Sequence, residues 1–219
     1  MYIHNLSEQN SILNTFVSEI RDVKIQVDRM RFRKNIERIG GILGYEMSKT
    51  FSYNETTVET PLGISKTQLP INHIVLCSVL RAGVPLHNGL LNYFDMADNA
   101  FISAYRHHKN NPESFEIIVD YLACPSIENK TLVLADPMLA TGQSLQATFE
   151  ALKPFGVPKD IHLICVIGAQ AGVDYISKHF PENTHLWIAA IDETLNSKGY
   201  IVPGLGDAGD LAFGEKLQH

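Results

Sequence analysis

The run Thr131-Leu-Val-Leu-Ala-Asp136-Pro-Met-Leu-Ala-Thr141-Gly142-Gln143-Ser144 decides how the chain is read. A short apolar segment ends on a carboxylate, a loop follows, and Thr-Gly-x-Ser opens a helical stretch over Ser144–Leu152. The spacing predicts strand, loop and helix. A helix start leaves N–H groups without intrahelical partners at the positive end of its dipole. The Ala140–Ser144 turn therefore suits a phosphate, with the Thr141 and Ser144 hydroxyls as further donors. Asp136, at the strand tip, suits the hydroxyls of a ribose. The plain alternative is an ordinary strand–helix turn in which Thr or Ser caps the helix.

The same texture extends outward. Apolar runs at Ile74–Leu80, Ala100–Tyr105, Phe115–Tyr121, His162–Ile167 and His185–Ile191 alternate with helix candidates at Pro85–Tyr93 and Val173–Phe180. Strands apolar on both faces, interleaved with helices, imply an α/β fold with a mostly parallel sheet flanked by helices. In such sheets ligands bind beyond the carboxyl ends of the strands. Upstream, Ser7 is a candidate cap for a helix carrying Ile12, Leu13, Phe16, Val17 and Ile20. A second helix is expected from about Asp28 to Thr50, with Ile36, Ile39, Leu43 and Met47 on one stripe. Its basic cluster Arg29, Arg31, Arg33 and Lys34 reads as a solvated face. Glu55–Glu59 and Ile64–Leu69, joined across Pro61-Leu62-Gly63, read as a β-hairpin.

The 219 residues suit a single domain, and 45% hydrophobic content supplies a sizeable core. Eighteen Lys and Arg against 24 Asp and Glu give a formal charge of −6, which argues against a dedicated nucleic-acid binder. No apolar run is long enough to span a bilayer, and Met1–Asn10 lacks the apolar core of an export signal, so a cytoplasmic protein is expected. Cys77, Cys124 and Cys165 lie in apolar runs without metal-ligand spacing and read as buried, reduced thiols.

Three further loops carry chemistry. In Ser78-Val-Leu-Arg81-Ala-Gly83-Val-Pro85, a fixed cation stands beside a glycine that lets a ligand approach the backbone, and Pro85 suits the first helical position. A pyrophosphate is the natural partner of Arg81, and a surface Arg at a strand end is the plain alternative. Arg106 opens the polar run His107-His108-Lys109-Asn110-Asn111, able to bring positive charge over a polyphosphate or simply to be a solvated loop. Near the end, Gly204-x-Gly206-x-x-Gly209 matches the dinucleotide fingerprint only formally, because too few residues follow Gly209 for the helix, strand and acidic residue it requires. What remains is a glycine-rich loop that exposes backbone N–H and C=O groups around Asp207.

Together these segments closely resemble uracil phosphoribosyltransferases. The resemblance rests on Val79-Leu-Arg-Ala-Gly-Val-Pro-Leu86, Asp136-Pro-Met-Leu-Ala-Thr-Gly142 and Gly199-Tyr-Ile-Val-Pro-Gly-Leu-Gly-Asp-Ala-Gly-Asp210, and on Gly44-Tyr-Glu46 ahead of the hairpin. It implies the type I phosphoribosyltransferase fold, with N-terminal helices over 1–52, a hairpin arm over 55–70 and a small C-terminal hood over 195–214. It implies transfer of a phosphoribosyl group from 5-phosphoribosyl-1-pyrophosphate (PRPP) to uracil, giving UMP and pyrophosphate in pyrimidine salvage. By this resemblance Arg81, Arg106 and Asp207 are the catalytic candidates, and all three also bind PRPP. Asp136, Pro137, Met138, Leu139, Ala140, Thr141, Gly142, Gln143 and Ser144 form the ribose-phosphate loop for PRPP. Ile201, Gly206, Asp207 and Ala208 line the uracil site.

Mg2+ is expected to ride on PRPP, reaching Asp207 through water, with no direct protein ligand set. GTP is a candidate activator, and a homo-oligomer, dimer or tetramer, is expected. The chain departs from the family pattern where Gln143 replaces the second glycine of Thr-Gly-Gly-Ser, where no Arg follows Asp210, and at His107-His108. If position 143 needs a positive φ, Gln there is strained by about 1 kcal/mol or more. Two other readings stay open at this stage: a uracil- or UMP-sensing regulator on the same scaffold, and a transferase for another base.

Overall fold

The computed structural model describes residues 1–108 and 115–216, with side chains described outside 104–119. The apolar runs become the strands of one sheet: β1 (Tyr2–Asn5), β4 (Ile74–Leu80), β5 (Asp98–His108), β6 (Phe115–Ala123), β7 (Thr131–Ala135), β8 (Met138–Leu139), β9 (Asp160–Ala169) and β10 (His185–Asp192). Two strands stand apart as the hairpin β2 (Tyr53–Thr60) and β3 (Gly63–Pro70), and two more form the small ribbon β11 (Thr194–Leu195) and β12 (Ile201–Val202). The helices are α1 (Leu13–Arg21), α2 (Arg29–Ser48), α3 (Gly83–Leu91), α4 (Gln143–Leu152), α5 (Gln170–His179) and α6 (Ala208–Phe213).

The sheet order is β1-β10-β9-β7-β4-β5-β6, with β8 paired to β9. Its ladders are parallel apart from the antiparallel β5–β6 pair. Burial on both faces explains why the central strands read as apolar throughout. In β7, Val133 and Ala135 join the core shared with α2 and α3, through Ile36, Ile39, Leu86 and Leu90. Leu132 and Leu134 point the other way, into the core under α4 and α5, with Leu145, Phe149, Val173 and Ile176. Ile36, Ile39, Leu43 and Met47 are all essentially fully buried, as their stripe predicts.

The structure corrects several expectations. Ser7 caps no long helix; it lies in a 3-10 turn capped by the Asn5 side chain, and Tyr2–Asn5 pair in parallel with β10 as an edge strand. Pro85 is the third residue of α3, not the first. The hairpin turns on Pro61-Leu62 alone, because Gly63 already pairs with Thr60. Cys77 and Cys165 are buried free thiols, whereas Cys124 is only half-buried. The basic cluster on α2 is not merely solvated: Arg31 pairs with Glu19, and Arg33 donates to the carbonyl of Ala212 in α6. Among the described residues no helix is long and apolar enough to cross a membrane.

Candidate active site

From β4 the chain passes through α3 to β5 on one side, and from β7 through α4 to β9 on the other, so connections diverge between β4 and β7. At such a switch point the loops beyond the two carboxyl ends part and leave a crevice. Arg81 and Asp136 follow the last residues of these two strands. Gly83 sits tightly below: a Cβ there would lie 2.6 Å from Ser78 Oγ and 3.0 Å from the Ala135 carbonyl oxygen. That close approach packs the Arg81 loop against the tip of β7.

Asp136 is nearly buried, and its Oδ1 accepts the Met138 N–H at 3.2 Å while its own N–H donates to Ile164 O at 3.1 Å. The loop is thereby tied to β9. Gly142 takes φ +79° immediately before α4, a conformation that costs other residues strain. Gln143 is the first residue of α4 and is not among the residues with positive φ, so the expected strain is absent and the departure from Thr-Gly-Gly-Ser is tolerated. Its side chain is partly buried, with Oε1 lacking a hydrogen-bond partner. From the far side α5 presses on the loop: a Cβ at Gly172 would lie 2.5 Å from Ala140 O and 2.7 Å from Leu139 O.

The C-terminal segment folds back over this crevice. β12 ends at Val202, Gly204 and Gly206 turn the chain with φ of +57° and +96°, and Asp207 caps α6 by accepting the Asp210 N–H at 3.0 Å. Arg81 reaches this segment directly, donating through Nη2 to Asp210 Oδ1 at 3.1 Å and to the Gly214 carbonyl at 3.2 Å.

Strand tips and tail thus face one cleft of about 680 Å³. Of the residues singled out from sequence, Arg81, Asp136, Met138, Ala140, Ser144, Ile201, Gly206, Asp207 and Ala208 line it. Pro137, Leu139, Thr141, Gly142 and Gln143 belong to the same loop but not to the lining, and Leu139 is a core residue. Arg106 stands on β5 opposite Ile117, with its side chain outside the described set, as are those of His107 and His108; Lys109, Asn110 and Asn111 lie outside the described residues altogether. Sequence reasoning missed Lys198, Tyr200, Ser103 and Lys216 as lining residues. Lys198 and Tyr200 flank a glycine in the stretch that carried the resemblance and were legible there, whereas nothing local marks Ser103 or Lys216. With Arg81 they bring two more cations to a cleft that also holds the carboxylates of Asp136 and Asp207.

The profile of the family "Uracil phosphoribosyltransferase" matches residues 7–215. A protein named uracil phosphoribosyltransferase from Porphyromonas gingivalis is 52% identical over 217 residues, covering 99% of this chain and all of the relative. One of the same name from Pyrococcus furiosus is 38% identical over 214 residues, covering 96% and 90%. The solved structure of the AQ2163 protein from Aquifex aeolicus superposes with a TM-score of 0.86 at 29% identity, covering 99% of this chain and all of that one. Profile, relatives and architecture agree over essentially the whole length, and the chain belongs to the uracil phosphoribosyltransferase family.

Proposed function

We propose that the cleft transfers the 5-phosphoribosyl group of PRPP to uracil, with the base read by the 201–208 segment and the donor held at the tips of β4 and β7. The observation that carries this reading is the shared cleft: residues assigned to the base and residues assigned to the sugar phosphate face each other across one space. Uracil offers an acceptor–donor–acceptor edge. Backbone N–H groups around Ile201 and Ala208 and a carbonyl around Gly206 complement it. Cytosine would set its amino donor against an N–H, and each unpaired group costs about 1–3 kcal/mol, a discrimination of tens to hundreds-fold.

The reaction forms a bond from uracil N1 to C1 of the ribose as the bond from C1 to pyrophosphate breaks, and the N1 proton leaves. Positive charge builds on the sugar ring and negative charge on the departing pyrophosphate. The protein's task is then to position both substrates and stabilise the leaving group. Arg81, with Arg106, takes that second role, and the Asp136–Ser144 loop fixes the ribose phosphate. Arg81 must exchange its contacts with Asp210 and Gly214 for donor oxygens.

Mg2+ fits the oxygen donors beside the cleft, Asp136 and Asp207. The ion would ride on the oxygens of PRPP, and Asp207 would hold it through water. When bound, it neutralises charge on the pyrophosphate. A GTP activator, a homo-oligomer and a cytoplasmic location complete the reading by family resemblance.

The test is a spectrophotometric assay of nucleotide formation from PRPP and Mg2+ with uracil, cytosine and hypoxanthine in parallel. UMP formed from uracil alone is expected. Uracil binding without turnover would leave a sensor, and preference for another base would overturn the assignment.

A further inference from the structure

Arg21 ends α1 and Asp192 ends β10; neither lines the cleft. Asp192, 8% exposed, accepts two hydrogen bonds from the Arg21 guanidinium, each 2.8 Å, and a third from the Gly204 N–H at 3.0 Å. Arg21 Nη1 also donates to the Gly204 carbonyl at 3.0 Å. One ion pair therefore holds both polar groups of a single backbone unit. That unit is a tight turn: a Cβ at Gly204 would lie 2.1 Å from Ile201 O. One residue separates it from Gly206 on one side, and two separate it from Ile201 on the other. The clamp therefore grips the middle of the segment assigned to the base.

We infer that Arg21 and Asp192 are positioning residues for the nucleobase, setting the register of the 201–208 backbone against uracil without touching it. This rests on the assignment of uracil to that segment. A reader built from main-chain groups has no side chains to adjust, so its precision depends on what holds the turn. Charge-assisted bidentate pairing supplies both energy and direction. The Arg81 and Asp136–Ser144 part of the donor site, anchored on β4, β7 and β9, makes no contact with the clamp, and only Asp207 belongs to both the clamped segment and the donor side.

The experiment measures KM for uracil and for PRPP, kcat, and the uracil-to-cytosine ratio of kcat/KM in Arg21→Lys, Arg21→Ala and Asp192→Asn. Asp192→Asn is isosteric and Arg21→Lys keeps the charge, so the question stays answerable if Arg21→Ala does not fold. Expected are an increase of ~10–100-fold in KM for uracil, a smaller uracil-to-cytosine ratio, and a PRPP KM within about threefold of the parent. Arg21→Lys should recover part of the loss. A fall in kcat proportional to the folded fraction, with both KM values unchanged, overturns the inference, and so does an equal rise in both. Ala208→Val, measured beside them, separates the two levels. If it raises the uracil KM while the clamp variants do not, the clamp is wrong and the base site stands. If it leaves the uracil KM unmoved, the base site itself is misassigned and the clamp inference falls with it.

Discussion

Replacing Gly172 by Ala tests whether the loop following β7 holds the ribose phosphate. The added methyl would lie 2.5 Å from Ala140 O and 2.7 Å from Leu139 O, whereas ordinary contact begins at 3.4 Å. Both obstructing atoms are backbone, so the loop must retreat by about 0.9 Å, because packed interiors do not absorb such overlaps locally. Overpacking of this kind costs about 1–3 kcal/mol, and each kcal/mol lowers Tm by roughly 2–4 °C in a chain of this size. The larger effect falls on catalysis, where a displacement of about 1 Å costs ~100-fold. Steady-state kinetics should show kcat/KM for PRPP lowered ~10–100-fold, with the uracil KM changed far less. The control is Gly89→Ala, where a Cβ would lie 2.1 Å from Glu37 O between α3 and α2, away from the cleft lining. It should lose at least as much stability and leave both KM values alone. A Gly172→Ala enzyme that melts earlier but uses PRPP normally would refute the loop's role. So would Gly89→Ala reproducing the same kinetic defect.

Other substitutions bear on the same geometry. Arg81→Ala should raise the PRPP KM at least tenfold and leave uracil binding largely intact in calorimetry; equal loss of both would contradict its place on the leaving group. Because Arg81 also holds Asp210, Asp210→Asn isolates the part of that effect due to the tail alone. Gly142→Ala should lower stability by at least about 1 kcal/mol, since φ is +79° and the new Cβ would lie 2.9 Å from Ile176 Cγ2, whereas Gln143→Gly should stay within about 1 kcal/mol in the same melts. Burial, reinforced by the charges of His185 and His4, pushes His162 from its ordinary 6.5 down to about 3. The unfolded chain binds that proton more readily, so the stabilisation is present above pH 6.5 and is lost as pH falls toward 3, with a slope of up to about 1.4 kcal/mol per pH unit. Denaturant titrations between pH 7 and 4 should show this, and His162→Gln should flatten the curve.

The strands and helices that build the cleft were legible because their signals are local. Ile74–Leu80 and Thr131–Ala135 form strands with the bounds their apolar runs predict. Tyr2–Asn5 escaped because an edge strand of four residues, two of them exposed, carries no pattern of its own. It is recruited by β10, and His4 stacks on Trp187 at a centroid distance of 3.7 Å. Gln143 shows the opposite limit. Which of two adjacent residues takes the positive φ depends on how α4 meets the loop, and a single sequence does not contain that. The cleft's second half was legible as a glycine-rich loop around Asp207, but its assignment to a base came only through resemblance, since glycines and backbone groups have no chemistry that spacing can reveal.

The basic face of α2 shows why the rest stayed hidden. Arg29, Arg31, Arg33 and Lys34 have the composition of a solvated surface, yet one of them bonds the tail and another packs beside it. Arg33 donates to Ala212 O at 2.7 Å and lies over the Phe213 ring, while Arg29 packs beside Gly214, whose Cβ position is 3.4 Å from Nη2. Arg81 takes the Gly214 carbonyl from the other side, and Arg21 takes that of Gly204. α6 has six residues and sits outside the sheet, too short to be stable alone. Its terminal carbonyls have no intrahelical partners, and guanidinium groups from three separate elements satisfy carbonyls of this segment. Arg33, aimed at a main-chain oxygen, leaves no complementary acidic residue for sequence reading to find, and the carboxylates that meet Arg21 and Arg81 lie 171 and 129 residues away along the chain. Four of the seven arginines of this acidic chain thus meet the C-terminal segment. They hold the segment assigned to the base, and the one that also faces the cleft, Arg81, links that mooring to the site assigned to the leaving group.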